Sequence, residues 1–433
     1  MIDPKLIREN PEQVRNAMRD RGVDVDISEL ARLDGQWRHV LQELEEARAE
    51  QNEASISAAT AKDADHSKLK ELKNRIKATE IRLAELEVTL EREMARIPNI
   101  PFPDVPVGPD ESGNQVLRTV GEQPLYDFEP KDHVALGQAL DIIDIERAAK
   151  VSGARFVYLK GGAALLEFAL VQYVLGLATS PEIMGGLAAS IGPEVSLKPF
   201  TPVIPPVMIR PDIFRRMARL SDEDKDERYY LPQDDLYLVG SAEHTLGAMH
   251  ADEILDEKDL PARYLGFSTS FRREAGSYGK DTRGILRVHQ FDKLEMESFT
   301  TAERSAQEQD FFVAFQEYIL RELKLPYRVV LICTGDMGKP DARQIDMEVW
   351  MPSQQMYRET HTADLMTDYQ ARRLKTRVRR VDGTVELVHT NDATALAIGR
   401  TLIAIMENYQ QANGSVTVPE VLRPYMGGRT ELV

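Results

Sequence analysis

The stretch "FRREAGSYGKDTRGILRVHQFDKLE", residues 271–295, contains six basic residues, although the whole chain carries a formal net charge of −17. Two strand-like ends enclose a glycine-rich turn, and alternation over 285–295 predicts that the second strand resumes directly after it. The stretch is therefore predicted to be a long hairpin lined with arginines. Guanidinium groups suit phosphate and carboxylate oxygens, and Phe291 could stack on a flat base. A surface hairpin held by Arg–Glu salt bridges is the alternative.

Two later stretches favour a binding site over a surface hairpin. In "MYRETHTADL" (356–365), which is predicted to follow a strand, Glu359 and Thr362 offer an acid and a hydroxyl that can share a hard cation such as Mg²⁺. In "NDATALAIGRTLIAIMENYQ" (391–410), a strand-like lead enters an apolar helix that carries Arg400 in its first turns. An arginine in an apolar helix is costly to bury unless it has an anionic partner.

The chain beyond about residue 105 mixes strand-like and helix-like segments. We predict strands within 200–210, 235–240, 327–335 and 344–352, and helices within 165–178, 301–323 and 395–411. Because strands often follow strands without an intervening helix, the expected class is α+β, with a largely antiparallel sheet flanked by helices. The segment 178–199 has no assigned role, and a surface loop is its simplest interpretation.

The first 105 residues follow a different pattern. One or two short helices are predicted in 1–27. Two heptad ladders between about 28 and 97 predict long helices that pair as an antiparallel coiled-coil hairpin, and a coiled coil between two chains is the alternative. The second ladder begins with basic residues that could follow a phosphate backbone: Lys68, Lys70, Lys73, Arg75 and Lys77. Five prolines after residue 96 cannot continue a helix and indicate a domain boundary.

Length and composition limit the class of protein. With 433 residues, 42% of them hydrophobic, the chain is long enough for two or three globular domains. The single cysteine, Cys333, excludes an internal disulfide framework and a zinc site that needs several cysteines. The N-terminal residues are charged, and the longest apolar run is shorter than the roughly 20 residues that span a bilayer. We therefore expect a cytoplasmic protein without a membrane partner.

Several ordered stretches resemble the bacterial-type seryl-tRNA synthetases, which are class II aminoacyl-tRNA synthetases. The resembling stretches are the N-terminal arm, "IDIERAAKVSGARFVYLKGGAALLEFAL" (143–170), "FTPVIPPVMIR" (200–210, motif 1), residues 266–295 (motif 2), "DYQARR" (368–373) and residues 391–410 (motif 3). The resemblance implies a tRNA-binding helical domain over 1–105 and a class II catalytic domain over 106–433.

The resemblance also implies roles for individual residues. Arg272 would hold the α-phosphate of ATP and the amino-acid carboxylate, and Arg400 the γ-phosphate, so these two are the implied catalytic residues. The other implied ATP-binding positions are Arg273, Glu274, Arg287, Val288, Phe291, Glu359, Thr360, His361 and Thr362, of which Glu359 and Thr362 would also bind Mg²⁺. The implied serine-binding positions are Ser241, Ala242, Glu243, Arg272, Glu295 and Thr394.

Four positions depart from the family's pattern. Ser241 replaces the usual threonine, and Thr362 lies in "HTAD", where the family often has "SSCS". The sequence "NDAT" places Asp392 where a glycine is common, and Arg273 replaces a serine. None of these changes removes a charged catalytic group, but they leave the fine specificity open.

The activity implied by the resemblance is serine–tRNA ligation. L-serine would react with ATP to give seryl-adenylate, and the seryl group would pass to the 3′ end of tRNA(Ser), with tRNA(Sec) left open as a second acceptor. The implied assembly is a homodimer. An amino acid:carrier-protein ligase of class II type is the alternative, and it would keep the ATP site without needing the arm. A non-enzymatic coiled-coil scaffold would have no use for the arginines of motifs 2 and 3.

Overall fold

The structure is a computed structural model that describes residues 1–60, 66–221, 224–275 and 284–433. It contains two compact units, Met1–Ile100 and Pro101–Val433. The glycine-rich turn predicted within the opening stretch lies in 276–283, outside the described residues.

The N-terminal unit is helical: α1 Pro4–Glu9, α2 Pro11–Asp20, α3 Ile27–Thr60 and α4 His66–Met94. Both short helices begin with a proline, whose missing N–H has no helical partner at that position in any case. The side chain of Asp3 caps α1 by accepting from the backbone N–H of Lys5. The two short helices predicted within 1–27 are therefore present.

The two long helices pack against each other in opposite directions. Ion pairs join Arg82 to Glu43, Arg48 to Glu80 and Arg75 to Glu50. Residues later in α3 therefore contact residues earlier in α4. Leu44, Ala47 and Ile76 are buried between the helices. The apolar ladders thus meet within one chain, which confirms the antiparallel hairpin.

The second unit contains nine helices among the described residues: α5 His133–Ala139, α6 Ile145–Ser152, α7 Gly161–Ala178, α8 Pro181–Ile191, α9 Pro211–Arg216, α10 Glu243–Leu246, α11 Ser305–Glu322, α12 Tyr369–Leu374 and α13 Ile398–Asn408. Its strands are β1 Gln115–Val120, β2 Ile143–Asp144, β3 Tyr158–Leu159, β4 Thr201–Val203, β5 Met208–Ile209, β6 Tyr230–Leu231, β7 Leu236–Leu238, β8 Ile254–Asp256, β9 Ala262–Phe271, β10 Gln290–Thr300, β11 Tyr327–Leu331, β12 Arg343–Met351, β13 Met356–Thr367, β14 Arg377–Arg379, β15 Val385–Leu387, β16 His389–Ala397, β17 Val416–Thr417 and β18 Glu431–Leu432. Short 3₁₀ helices cover Glu111–Gly113, Asp224–Glu227, Glu257–Asp259 and Glu420–Met426.

Eight strands form the main sheet, in the order β1-β11-β12-β13-β16-β10-β9-β4. Neighbouring strands are antiparallel except for β4, which runs parallel to β9. The α+β class and the largely antiparallel sheet are therefore confirmed.

The two faces of the central strands have different chemistry because side chains alternate along a strand. On β10, Leu294 and Met296 belong to the hydrophobic core, which also contains Phe311 and Phe315 of α11. Lys293 and Glu295 alternate with these apolar residues and lie on the opposite face, where the polar site is built.

The interpretation of 178–199 as a surface loop is wrong. Residues Pro181–Ile191 form α8, and its Met184 and Ala188 are fully buried in the main core. The Ser180 hydroxyl accepts from the backbone N–H of Ile183 at 3.3 Å. Ser180 followed by Pro181 is a helix-start signal that could have predicted α8.

Three local boundaries also differ from the prediction. Strand β10 begins at Gln290, so 285–289 is not a strand. The stretch 356–365 follows strand β12 as predicted, but it is itself part of strand β13. Helix α13 begins at Ile398 because Ala395–Ala397 complete β16. The hairpin itself is present, since Phe271 of β9 pairs with Gln290 of β10.

One helix among the described residues, α7, is long and apolar enough to cross a membrane, judged by length and composition alone. In the structure 56% of α7 is buried, and its Leu166, Leu170 and Val174 pack in the main core. Core packing therefore accounts for its apolar sequence.

Candidate active site

The polar face of the main sheet forms the floor of a cleft. Its lining residues come from β10, β12, β13 and β16, from the start of α13 and from the segments around α9, α10 and β9: Arg219, Glu243, Arg272, Glu274, Ile285, Leu286, Arg287, Val288, Phe291, Lys293, Glu295, Gln344, Glu359, Thr360, Thr362, Asp364, Asp392, Thr394, Ala397, Gly399 and Arg400. Arg272 and Arg400, which are 128 positions apart in the printed sequence, line the same space.

A β-bulge explains how Glu359 and Thr362 both reach the cleft. Residues three apart on a regular strand point to opposite faces. On β13, however, His361 pairs with Met347 and Glu359 pairs with Glu348, so Thr360 is an extra residue without a cross-strand partner. This extra residue returns Glu359 to the face of Thr362 and leaves His361 on the other face.

A second bulge acts in the same way on β16. Leu396 pairs with Leu294 and Thr394 pairs with Glu295, so Ala395 is the extra residue. Thr394 and Ala397 therefore both line the cleft. The two bulges place polar residues of three adjacent strands, β13, β16 and β10, on one surface.

Arg272 is held at the end of β9. Its Nε donates to the carbonyl oxygen of Gly240 at 3.1 Å, and its guanidinium carbon lies 5.3 Å from the centre of the Phe291 ring. Nearby, Glu274 and Arg287 form an ion pair of 3.4 Å. A guanidinium, an aromatic ring and an acid thus lie together at the end of the β9–β10 hairpin.

Arg400 lies in the first turn of α13 and contacts β13. Its Nη1 donates to the carbonyl oxygen of Glu359 at 2.8 Å and to Oε1 of Glu359 at 2.9 Å. Burial disfavours the charged form of Glu359, but Arg400, Arg272 and Lys293 together lower its pKa below the ordinary value. Glu359 therefore remains an anion, and it is the anionic partner that the sequence required for Arg400.

The neighbourhood of Glu359 fits a hard cation. Asp346 on β12 pairs with Thr362, and Asp346, Thr362 and Glu359 all lie on the cleft face. Burial and Glu359 raise the pKa of the Asp346 carboxyl well above its ordinary value, which shows that negative charge is concentrated here. A carboxylate, a second carboxyl and a hydroxyl are the oxygen ligands that Mg²⁺ prefers.

The acidic residues Glu243 and Glu295 line the same cleft as Arg272. Ser241 Oγ donates to Oε2 of Glu295 at 3.0 Å, and Lys293 Nζ lies 2.5 Å from the same oxygen. Burial raises the pKa of Glu295, whereas Lys293 acts in the opposite direction. Glu243 begins the short helix α10, and its Oε1 lies 2.5 Å from Nε of Arg219.

Four of the predicted site residues do not line the cleft. Ser241 and Ala242 are buried beneath it, although Ser241 reaches it through Glu295. Arg273 turns away, and its guanidinium carbon lies 5.7 Å from the ring centre of Tyr229. His361 is fully buried, bonds to the Thr360 hydroxyl at 2.7 Å, and has its pKa lowered to about 3 by burial. A direct contact of Arg273 or His361 with a ligand is therefore not supported.

The sequence reasoning missed several residues of the cleft. Lys293 could have been found, because it lies two positions before Glu295 and must share its strand face. Arg219 carries no local signal, since it follows a short helix in a charged segment far from the motifs. Asp364 could have been found in the same way, because it lies two positions after Thr362, whereas Gln344 enters the cleft only through the pairing of β12 with β13.

Comparison with known proteins agrees with this architecture. The profile of the tRNA synthetase class II core domain (G, H, P, S and T) matches residues 227–409, and that of the seryl-tRNA synthetase N-terminal domain matches residues 1–101. A serine–tRNA ligase of Clavibacter michiganensis subsp. michiganensis is 44% identical over 433 residues, covering 99% of this chain and 97% of the relative. The chain belongs to the seryl-tRNA synthetase family.

Solved members of the seryl-tRNA synthetase family superimpose over the whole chain. A seryl-tRNA synthetase from Pyrococcus horikoshii, complexed with ATP, gives a TM-score of 0.87 at 39% identity and covers 100% of this chain and 99% of that one. A cytoplasmic serine–tRNA ligase from Naegleria fowleri, in complex with AMP, gives a TM-score of 0.84 at 30% identity, with 100% and 98% covered.

The N-terminal unit of this seryl-tRNA synthetase family member exposes its basic run. The residues Lys68, Lys70, Lys73, Arg75 and Lys77 are all exposed on α4. Arg75 is paired with Glu50 of α3. The predicted basic surface is thus accessible on one arm of the hairpin.

Proposed function

We propose that the protein activates L-serine with ATP to form seryl-adenylate and transfers the seryl group to the 3′ end of tRNA(Ser). The observation that carries this proposal is the convergence of Arg272 and Arg400 in one cleft with Phe291 and Glu359. Membership of the seryl-tRNA synthetase family supports the choice of serine.

The first step brings two anions together. The serine carboxylate attacks the α-phosphorus of ATP, so no general base is needed, and the barrier is mainly electrostatic. Arg272 contacts both anions in this proposal, and the Gly240 carbonyl orients its guanidinium before the substrates bind. Phe291 stacks on adenine, and Glu274 reads the adenine edge.

The pyrophosphate leaving group lies on the side of Arg400 and Arg287. Glu359 holds the Arg400 guanidinium at the start of α13. Glu359 and Thr362 are the proposed Mg²⁺ ligands, and a bound Mg²⁺ would supply charge neutralisation for the phosphate oxygens. Arg273 and His361 have no direct role in this scheme.

The amino-acid subsite lies between Glu243, Glu295 and Thr394. Acidic side chains bind the α-ammonium group and the serine hydroxyl, and Ser241 orients Glu295 from below. Alanine would leave the hydroxyl partners unpaired in a buried site, and such sites can reject the smaller substrate by up to roughly 10⁴–10⁵.

The N-terminal unit is the proposed tRNA-binding unit, and its exposed α4 lysines contact the phosphate backbone. A homodimer in the cytoplasm is the proposed state, as the family resemblance implies. An amino acid:carrier-protein ligase remains the second candidate, but the match of residues 1–101 to the seryl-tRNA synthetase N-terminal domain favours tRNA as acceptor.

A charging assay tests the proposal. Purified protein, ATP, Mg²⁺ and radiolabelled serine are incubated with tRNA(Ser), with tRNA(Sec), or with an acyl-carrier protein. Serine should become acid-precipitable with tRNA(Ser) and should not label the carrier protein. Serine-dependent ATP–pyrophosphate exchange without any tRNA labelling would favour the carrier-protein alternative.

A further inference from the structure

The floor of the amino-acid subsite carries a row of acids across three strands. Asp364 on β13 is the cross-strand neighbour of Asp392 on β16, and Asp392 is the neighbour of Glu297 on β10. All three are almost fully buried. Like charges directly opposite each other on a sheet destabilise it, so this row requires protons or a cation.

Arg219 is a cation that reaches this row. It lies just beyond α9 and lines the cleft. Its Nε lies 2.5 Å from Oε1 of Glu243, and its Nη2 donates to Oδ2 of Asp392 at 3.2 Å. The Arg219 guanidinium therefore bridges Glu243, the first residue of α10, and Asp392 on the middle strand of the acidic row.

Acidic groups outnumber basic groups in the subsite. Carboxylate oxygens of Glu243, Glu295 and Asp392 lie within 4.8 Å of one another. Two basic groups contact them, Arg219 on Glu243 and Asp392, and Lys293 on Glu295. A substrate α-ammonium group would therefore find acidic partners in this cluster.

We propose that Arg219 is a positioning residue of the amino-acid subsite that acts through Glu243 and Asp392, holding both side chains in place so that the subsite accepts an ammonium group. This inference rests on the proposed function. It also accounts for the departure at Asp392, because the acid that replaces the family's common glycine has Arg219 as a partner from a distant segment.

Other charged groups surround Glu243 and Asp392 and act on these two carboxyls together with Arg219. They are Glu295, Glu297 and Lys293 from β10, Asp364 from β13, Asp341 before β12, and His244 next to Glu243. Burial raises the pKa of Asp392 well above its ordinary value, Glu243 adds to this effect, and Arg219 opposes it. Burial lowers the pKa of His244 well below its ordinary value, so it supplies no positive charge at neutral pH.

The test measures serine and ATP KM values by ATP–pyrophosphate exchange in the full-length protein. Without Arg219, Glu243 and Asp392 lose the guanidinium that holds them, and they bind the ammonium group more weakly. Arg219→Gln should therefore raise the serine KM by roughly tenfold or more at pH 7 and leave the ATP KM within about threefold.

Three further variants separate this role from a purely structural one. Arg219→Lys keeps the charge and should lie closer to the wild type than Arg219→Gln. Asp392→Asn leaves Arg219 on Glu243 and should change the serine KM less. Combining Arg219→Gln with Asp392→Asn should cost less than the product of the single effects, since the two residues act as a pair. Arg147→Gln, at an exposed arginine that pairs with Asp144, is the matched control.

The outcomes discriminate clearly. A serine KM within about twofold of the wild type in Arg219→Gln overturns the inference, and so does an equal rise of the serine and ATP KM values. If Arg219→Gln does not fold, unchanged serine KM values in both Arg219→Lys and Asp392→Asn overturn it. A wild-type protein without serine-dependent exchange would instead reject the proposed function, and the inference with it.

Discussion

Replacing Arg272 with alanine should abolish serine-dependent ATP–pyrophosphate exchange while the protein remains folded. In the structure, the described polar contacts of the Arg272 side chain are few: Nε donates to the Gly240 carbonyl, and the guanidinium lies 5.3 Å from the Phe291 ring centre. Losing one such hydrogen bond costs about 1 kcal/mol of stability. The catalytic loss should be much larger, because the group faces two anionic substrates.

The expected catalytic effect follows from the charge that Arg272 neutralises. Removing a preorganised donor from a developing negative charge costs about 10²–10³ in rate, and an arginine that stabilises phosphoryl-transfer charge contributes about 10³–10⁵. We therefore expect kcat/KM for exchange to fall by at least about 10³, which corresponds to about 4 kcal/mol of transition-state stabilisation. Arg272→Lys should recover only part of this, since an ammonium lacks the bidentate fork.

The assay is pyrophosphate exchange at saturating ATP, with thermal unfolding and circular dichroism measured on the same preparations. Arg147→Ala serves as the control, because that arginine is exposed and lies outside the cleft lining. Exchange by Arg272→Ala within about tenfold of the wild type would refute the electrostatic role of this residue. A collapse of the unfolding temperature would show that Arg272 has a structural role that its contacts do not explain.

Three further predictions concern the arm, the metal and a buried acid pair. Changing Lys68, Lys70, Lys73 and Lys77 together to glutamate should raise the tRNA KM and leave pyrophosphate exchange unchanged. The slope of log KM against log salt concentration should decrease by up to about one unit for each lost phosphate contact. A loss of exchange would contradict this prediction. Glu359→Gln should raise the Mg²⁺ concentration for half-maximal exchange by about tenfold or more, and an unchanged Mg²⁺ titration would remove Glu359 from the metal site. Burial, with Asp292 adding to it, raises the pKa of Glu167 from 4.5 to about 8. The folded state therefore holds a proton that the unfolded state releases across this window, and wild-type stability should fall more steeply from pH 5 to pH 8 than that of Glu167→Gln, as thermal melts would show.

The parts of the fold that depend on regular patterns could be predicted from the sequence. The heptad ladders predicted the α3–α4 hairpin, because apolar residues at that spacing must meet a partner stripe. The apolar helix predicted within 395–411 carries Arg400 in its first turns, and α13 has this arrangement although it begins three residues later, at Ile398. Helix α8 was missed because the segment 178–199 was interpreted as a surface loop, although Ser180–Pro181 signals a helix start.

The parts of the site that depend on long-range packing could not be predicted. No pattern near Arg219 indicates that it will meet Glu243 and Asp392, because the contact is made by folding distant segments over the sheet. The outward orientation of Arg273 and the burial of His361 are likewise set by neighbours, Tyr229 in one case and the β12–β13 register in the other.

The bulge at Thr360 lets β13 carry one residue more than its partner strand without changing which side chains face the cleft. Deleting Thr360 would leave Glu359 next to His361 in a regular strand, with Glu359 still opposite Glu348 and on the face of Thr362. Deleting a regularly paired residue such as Ala363 would instead exchange the cleft and core faces of one end of β13. Thr360 should therefore be the residue of this strand whose deletion is best tolerated, and elsewhere the strand should diverge by replacement at constant length.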